Sequence, residues 1–349
     1  MVVLGGTIHH PGGIESFCAR AVQALARHGD DWEAEWWPTD TAYFSLRYVN
    51  KVHAAWRRLI DLDEVDLVWL QWSTLLDLIF LWRLKNFGMP VLVTPHLGAQ
   101  ARLQRWPALR YLSAKLLDRA DRLGLLFDGQ DGEIALPSGI PRSLLGTFLP
   151  EKVLTAPIVA RTGKLHLIHA GRLSVEKGSF RMVELCAMLR DRRIPFTAQI
   201  IGRADADVSA ALAAAIQKED LDTVLTFDGW MDGEALGAAL SQADVLIHLS
   251  ELDSFPLIVL EALAAGALPV IANMAGASAM VRRYGGFITP GSSVVAAADW
   301  LAESALADLR RDGSAAADRV RHDQAWSSVV ARLEHVANVT LPLAAGTRD

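Results

Sequence analysis

The chain has 349 residues, 51% of them hydrophobic and 21% charged, and a formal net charge of -6. That length calls for two cores rather than one, and the composition is that of an ordinary folded protein, not a disordered or fibrous one. The acidic balance argues against a nucleic-acid partner, and the two cysteines, Cys18 and Cys186, make neither a disulfide framework nor a cysteine metal cluster.

The opening residues MVVLGGTIHHPGGIE predict a short strand and a glycine turn, where a signal peptide would need a charged start and a long apolar stretch. Gly12 and Gly13 precede a helix expected over residues 15–27 and would let the backbone approach a ligand, although a plain turn is the commoner use of such a pair. Their spacing is not a dinucleotide fingerprint, and no Walker loop occurs in the chain. His9 and His10 read as ordinary loop residues. VDLVWLQW then predicts a strand, a helix runs through Leu84, and the strand PVLVTPH ends on His96. The end of such a strand delivers side chains to the ligand crevice of a doubly wound sheet. A neutral imidazole there would donate to a sugar hydroxyl, or its backbone carbonyl would face a developing positive charge; a histidine satisfied by a neighbour is the plainer alternative. The most apolar stretches, residues 73–82 and 263–272, are broken by Asp77 and by Gly266 and Pro269, so neither reads as a membrane span. Beyond His96 the chain reads as helical and basic through Leu123 and irregular over residues 127–157. The interdomain connection is expected near residues 156–163.

Alternation restarts with the strand LHLIHAGR, a helix over residues 179–190, the strand FTAQIIG, a helix over residues 208–218 and the strand VLTFDGW. The loop GRLSVEKG leaves the first of these strands carrying Arg172 and Lys177. A planar fork and a mobile point charge would together neutralise a departing diphosphate; a solvated loop, its cations paired with Glu176, is an equal reading of the loop alone. ADVLIHLSEL follows as a buried strand with a polar exit, then DSFPLIVLE as turn and helix, then ALAAGALPVIA as helix, glycine stop and strand. Asp253 and Glu261 bracket the turn, so both acids can face one cleft, and free amides at the helix start attract phosphate. The fold class expected from this order is α/β, with two doubly wound Rossmann-like domains facing across a cleft. Residues 1–157 would form the first and residues 164–325 the second, with a final helix over residues 326–341 packing across both.

GGIESF, TPHLG, HAGRLSVEKG, IIGRADAD, FDGWMD, ADVLIHLSELDSFPLIVLEALAAGALPVIA and QAWSSVV stand in the order and approximate spacing of the family-four retaining glycosyltransferases. The chain resembles that family (glycosyl transferases group 1) from Gly12 to about Val330. The resemblance implies the GT-B architecture, with a carboxyl-terminal domain for the sugar nucleotide and an amino-terminal domain for the acceptor. It implies that Arg172 and Lys177 hold the donor diphosphate and that Glu261 holds the ribose hydroxyls. Asp253 and the amides of Ser254, Phe255 and Leu257 would meet the donor sugar and phosphates, with Gly12 and Gly13 near the phosphate or sugar and His96 near the sugar. It further implies retention and no bound metal; no cofactor is expected, and the expected donor is a UDP- or GDP-sugar, the base itself staying open among uridine, guanosine and adenosine. Three departures stand out. Asp253 and Ser254 occupy the family's usual Glu-Gly, a carboxylate shorter by a bond of ~1.5 Å; FLPEKVLTAP replaces the segment before the hinge; and NMAGASAM lacks an acid often found after the following strand.

The amino half is rich in Trp and basic residues: Trp32, Trp36, Trp37, Trp56, Trp69, Trp72, Trp82 and Trp106, with Arg47, Lys51, Arg57 and Arg58, and further on Arg102, Arg105, Arg110, Lys115, Arg119 and Arg122. Aromatic faces stack on sugars, and the same mixture seats a protein on an anionic bilayer; core tryptophans beneath solvated helices account for it equally well. The expected partners are a nucleotide-sugar donor and a saccharide or lipid-linked saccharide acceptor of envelope or exopolysaccharide synthesis, with an anionic membrane surface as a further candidate and no nucleic acid. The expected location is cytoplasmic, with a peripheral seat on the inner face of the cell membrane as the alternative. A catalytically weak nucleotide-sugar-binding scaffold is the second functional reading, and a nucleotide-sugar epimerase the third.

Overall fold

In this computed structural model, which describes residues 1–9, 12–43 and 48–342, the strands form two six-stranded sheets, every neighbouring pair parallel. Met1–Phe148 and Gln324–Asp349 make one unit, and Leu149–Asp323 the other.

The first unit runs β1 (Val2–Leu4), α1 (Gly13–His28), β2 (Glu35–Trp37), α2 (Val49–Arg58), β3 (Val68–Trp72), α3 (Leu75–Asn86), β4 (Val91–Pro95), α4 (Arg102–Arg105), α5 (Pro107–Leu117), β5 (Arg122–Leu125), α6 (Gln130–Glu133) and β6 (Arg142–Leu144). Its sheet order is β2-β1-β3-β4-β5-β6. All five residues of β3 and of β4 are buried, as continuous apolar runs in a sheet covered on both faces must be. Helix α3 starts where Thr74 and Asp77 cap each other reciprocally, the Thr74 hydroxyl accepting from the Asp77 amide and the Asp77 carboxylate from the Thr74 amide.

The second unit runs α7 (Glu151–Thr155), β7 (Leu165–Arg172), α8 (Ser179–Asp191), β8 (Phe196–Arg203), α9 (Ala206–Lys218), β9 (Leu225–Phe227), α10 (Gly233–Gln242), β10 (Val245–His248), α11 (Leu257–Ala264), β11 (Leu268–Ala272), α12 (Ala275–Tyr284), β12 (Phe287–Thr289), α13 (Val294–Glu303) and α14 (Leu306–Asp323). Its sheet order is β12-β11-β10-β7-β8-β9. Strand connections run from β7 outward to β9, then return to the other side of β7 to place β10. The order therefore reverses between β7 and β10, the kind of switch point where ligands of open parallel sheets bind. In the first unit the same reversal falls between β1 and β3.

Three expectations about organisation change. The division falls at Phe148 rather than near residues 156–163, because α7 packs on α10 and α11 and Arg161 donates to the carbonyls of Ser241, Ala265 and Gly266 at 3.0, 2.7 and 2.7 Å. These contacts bind the connecting segment to the second unit. The terminal helix α15 (Trp326–Asn338), expected across both domains, packs on α1 and belongs to the first unit. There a Glu334 carboxylate oxygen accepts from the Asp30 and Asp31 amides at 2.9 and 3.0 Å. The stretch read as irregular over residues 127–157 holds α6, β6 and α7, and its short edge strand β6 pairs on one side alone, with β5, which begins at the end of the stretch read as helical.

Candidate functional site

The loops that leave β7 and β10 are drawn together residue by residue. Strands β7 and β10 are paired, Leu167 with Val245 and Ile168 with Leu246, so their carboxyl ends emerge side by side. Beyond the strands the Glu251 amide donates to the Glu176 carbonyl at 2.8 Å. Between them lies Gly178, left-handed at φ 82°, where a Cβ would stand 2.5 Å from the Leu249 carbonyl oxygen. Only glycine fits both the backbone and the space. A second close approach seats the Ser254 turn on α12: a Cβ at Gly276 would lie 1.9 Å from the Ser254 carbonyl oxygen.

Hydrogen bonds shape the loop that carries Lys177. The Lys177 amide donates to Ser174 Oγ at 3.2 Å, the Ser174 amide to Ser179 Oγ at 3.2 Å, and Ser179 Oγ lies 3.1 Å from His169 Nε2. His169 Nδ1 is 2.9 Å from the Ile247 carbonyl oxygen, which only an N–H can satisfy, so Nδ1 carries the proton and Nε2 accepts from Ser179. Burial lowers the pKa of His169 to about 4 and keeps the ring neutral.

This scaffold brings three of the expected side chains and one unexpected one to the switch point. The Lys177 ammonium pairs with Asp253 Oδ1, both side chains mostly buried, and His248 Nε2 lies 2.9 Å from Asp253 Oδ2. Burial alone would raise the pKa of Asp253; the hydrogen bond and charge of His248, then those of Lys177, outweigh it and hold the carboxyl below the usual carboxylate range. Arg172 ends β7 exposed, in register with Arg203 on β8, and makes no ion pair among the described residues. Lys177 thus pairs with Asp253, not with Glu176. Arg203 in turn lies over the exposed Trp230, 4.6 Å from the ring centroid. Glu251, close by in sequence, is engaged elsewhere: it pairs with Arg181 and accepts from Ser292 Oγ at 2.6 Å.

Helix α11 follows the turn. Its N-cap Pro256 offers no side-chain cap, and Leu257 is its first residue. Within the helix Val259, Leu260, Ala262, Leu263 and Ala264 are buried, leaving Leu257, Ile258 and Glu261 half-exposed. Those three, spaced i, i+1 and i+4, share one face, so Glu261 stands one turn along the side on which the helix begins. Ser254 and Phe255 are half-exposed in the turn, Phe255 packing on the second unit's core.

The remaining expected residues lie in the first unit. Gly12 is the extended N-cap of α1 and Gly13 its first residue. A Cβ at Gly13 would meet no atom within 4 Å, so the chain's own packing does not require glycine there. His96 follows β4, its ring against Phe17 at 4.9 Å and its Nε2 2.8 Å from Gln71 Oε1. Gln71 Nε2 already donates to the Trp69 carbonyl, so Oε1 is the acceptor and the His96 Nε2–H is committed to it. Donation from that nitrogen to a sugar is therefore replaced by donation to Gln71. Burial moves the His96 pKa from 6.5 down to about 3. The folded ring thus stays neutral while the unfolded one takes a proton, so His96 contributes stability above its ordinary pKa that is lost as pH falls from 6.5 towards 3. Its ring-proton NMR resonance should stay flat between about pH 5 and 8; a midpoint inside that window would contradict the burial.

Sequence reasoning passed over His248, His169 and Gly276. It also passed over a buried polar network beside the first unit's switch point. There Thr7 donates to Asp40, Thr41 to Asp77, and the Ser73 and Thr74 amides to Asp77 Oδ2 at 2.8 and 2.7 Å. The available signal was a polar residue closing an apolar run, as His248 closes VLIH. Of the eight tryptophans noted in the amino half, Trp37, Trp69 and Trp72 are core residues, whereas Trp82 and Trp106 are 45% and 60% exposed. His10 and Arg47 lie outside the described residues. No helix among the described residues is long and apolar enough to cross a membrane.

Comparison with known proteins agrees with this geometry. Residues 154–317, nearly the whole second unit, match the model of the family glycosyl transferases group 1. A D-inositol 3-phosphate glycosyltransferase of Arthrobacter sp. (strain FB24) is 30% identical over 162 residues, which are 45% of this chain and 35% of that relative. The chain thus matches about a third of that relative's length. Sucrose-phosphate synthase from Thermosynechococcus elongatus superposes with a TM-score of 0.74 at 18% identity, over 97% of this chain and 98% of that one. Anabaena HepE in complex with UDP superposes with a TM-score of 0.68 at 17% identity, over the same shares. The fold is GT-B, and the second unit is similar to glycosyl transferases group 1.

Proposed function

We propose that this chain is a retaining, metal-independent glycosyltransferase that moves a sugar from a UDP- or GDP-sugar held by the second unit to a saccharide or lipid-linked saccharide. The observation that carries the reading is the joining of Lys177, Asp253 and His248 across the β7 and β10 loops, with Arg172 exposed at the end of β7 and without an ion pair among the described residues. Two cations and the start of α11 are suited to a diphosphate. Glu261 would take the ribose hydroxyls and Asp253 a hydroxyl of the donor sugar, with the amides of Ser254, Phe255 and Leu257 on the sugar and phosphates. As the sugar–phosphate bond breaks, Arg172 and Lys177 stabilise the leaving charge, and a donor phosphate oxygen takes the acceptor proton on the same face. UDP in the Anabaena HepE complex and the glycosyltransferase relative support the class of donor.

The test is product analysis with radiolabelled UDP-glucose and GDP-mannose and a panel of saccharide and lipid-linked acceptors, with and without EDTA. A new glycosidic bond retaining the donor's anomeric configuration, formed equally in EDTA, is expected. Donor binding without transfer would favour the scaffold reading, and a free epimerised nucleotide sugar the epimerase.

The acceptor side is read from the surface of the first unit. Between Trp82 and Arg122 the sequence holds eight Lys or Arg against two Asp, in a chain of net charge -6. On packed helices α3 and α5, with Trp106 preceding α5, that stretch exposes Trp82, Phe87, Trp106 and Tyr111. Exposed aromatics among cations fit the interface of an anionic bilayer, which would place the enzyme at the inner face of the cell membrane with a lipid-linked acceptor. Sedimentation with phosphatidylglycerol vesicles should show binding at low salt that weakens as salt rises and with Trp82→Ala and Trp106→Ala combined. Absence of low-salt binding would remove this part of the reading.

A further inference from the structure

His248 closes β10 five residues before Asp253, and its ring serves one visible purpose. Its Nε2 meets Asp253 Oδ2 at 2.9 Å, while Nδ1 is buried with no hydrogen-bond partner among the described residues. An ionised carboxylate only accepts, so Nε2 carries a proton and donates it to Asp253. Leaving a buried ring nitrogen unsatisfied is a cost that a leucine at this position would not carry. The polar contact that the ring makes among the described residues is with the carboxylate it holds.

Among the described residues Asp253 has two side-chain partners, one on each oxygen, and the two differ in kind. Lys177 sits on a loop and reaches its acid through a flexible stem; His248 is fixed at the end of a strand whose four residues are buried. If the donor diphosphate takes Lys177, as the reading above requires, the ammonium must leave Asp253. A mostly buried carboxylate that loses its only partner is strongly disfavoured, and without a second support this cost would fall on donor binding.

We propose that His248 is a positioning residue for the donor site: its Nε2–H keeps Asp253 paired and in place while Lys177 transfers to the diphosphate. This inference rests on the donor reading and adds to it the residue that makes the handover affordable. His169, on the neighbouring strand, cannot substitute, because both its nitrogens are engaged by Ile247 and Ser179.

The test is calorimetric titration of UDP-glucose and GDP-mannose into wild type, His248→Leu, His248→Gln, Lys177→Met and the double variant His248→Leu/Lys177→Met, with melting temperatures recorded for each. Glutamine places an amide N–H where the imidazole Nε2–H stands. His248→Leu should weaken the bound donor ~10- to 100-fold, as loss of a hydrogen bond to a charged group does, and His248→Gln by less than ~3-fold. In the Lys177→Met background, where no ammonium has to leave, His248→Leu should add less than ~3-fold, which a merely structural role would not produce. Equal affinity in wild type and a folded His248→Leu would overturn the inference, as would equal damage by glutamine and leucine or an undiminished effect without Lys177. Failure of wild type to bind either donor would instead overturn the donor reading itself.

Discussion

Arg172→Ala should lower turnover by ~10²- to 10³-fold, the cost of removing one preorganised group from a developing negative charge. The same substitution should barely touch stability, because Arg172 is exposed at the end of β7 and holds no ion-pair partner among the described residues; such surface changes usually stay within ~0.5 kcal/mol. The contrast is diagnostic. Lys177, its companion, is already engaged by Asp253, so the cation standing ready for a ligand is Arg172. Arg172→Lys should recover only part of the rate, since an ammonium keeps the charge and loses the planar fork. Steady-state kinetics with a saturating donor, beside a thermal melt, checks both halves. Wild-type turnover in the alanine variant would remove Arg172 from the leaving-group role.

The largest effect on stability is expected at Asp244, the residue before β10. It is 1% exposed, accepts from Arg310 Nε at 2.8 Å and from the His166 amide at 2.9 Å, and so fastens α14 and the start of β7 to the central strand. Asp244→Ala strips the buried end of Arg310 and a strand amide of their acceptor together. Breaking such a pair from one side costs ~3–5 kcal/mol, and because the Arg310 side chain keeps 23% of its exposure the lower end applies. Urea unfolding should show the midpoint falling accordingly, with donor affinity of the remaining folded protein unchanged. A loss below ~1 kcal/mol, the worth of an exposed ion pair, would show that the pair is not effectively buried.

Much of the second unit was legible before any coordinates. LHLIHAGR is β7 residue for residue, and FTAQIIG is β8 save its last residue, because long strands inside a parallel sheet announce themselves as apolar runs bounded by glycine. The first unit's edges were not legible. Strands β2 and β6 have three residues each and one partner each, too short for any period to show, and α2 has no buried residue to mark a face. At the site, Arg172, Lys177, Asp253 and Glu261 were read from spacing and resemblance. His248 and His169 were not, since a histidine in a strand declares its partner only when the neighbouring strand and loop are in place. The resemblance also gave no warning that Lys177 would meet Asp253, a contact between residues 76 apart that depends on β10 returning beside β7.

The proposed donor site requires the β7 and β10 loops to meet one nucleoside diphosphate. Hydrogen–deuterium exchange with and without UDP-glucose or GDP-mannose tests this most directly, since it reports both binding and its location. One of the two donors is expected to slow amide exchange in the peptides spanning residues 171–179 and 250–262 together. Slowing confined to other segments, or in neither peptide with either donor at saturating concentration, would contradict it.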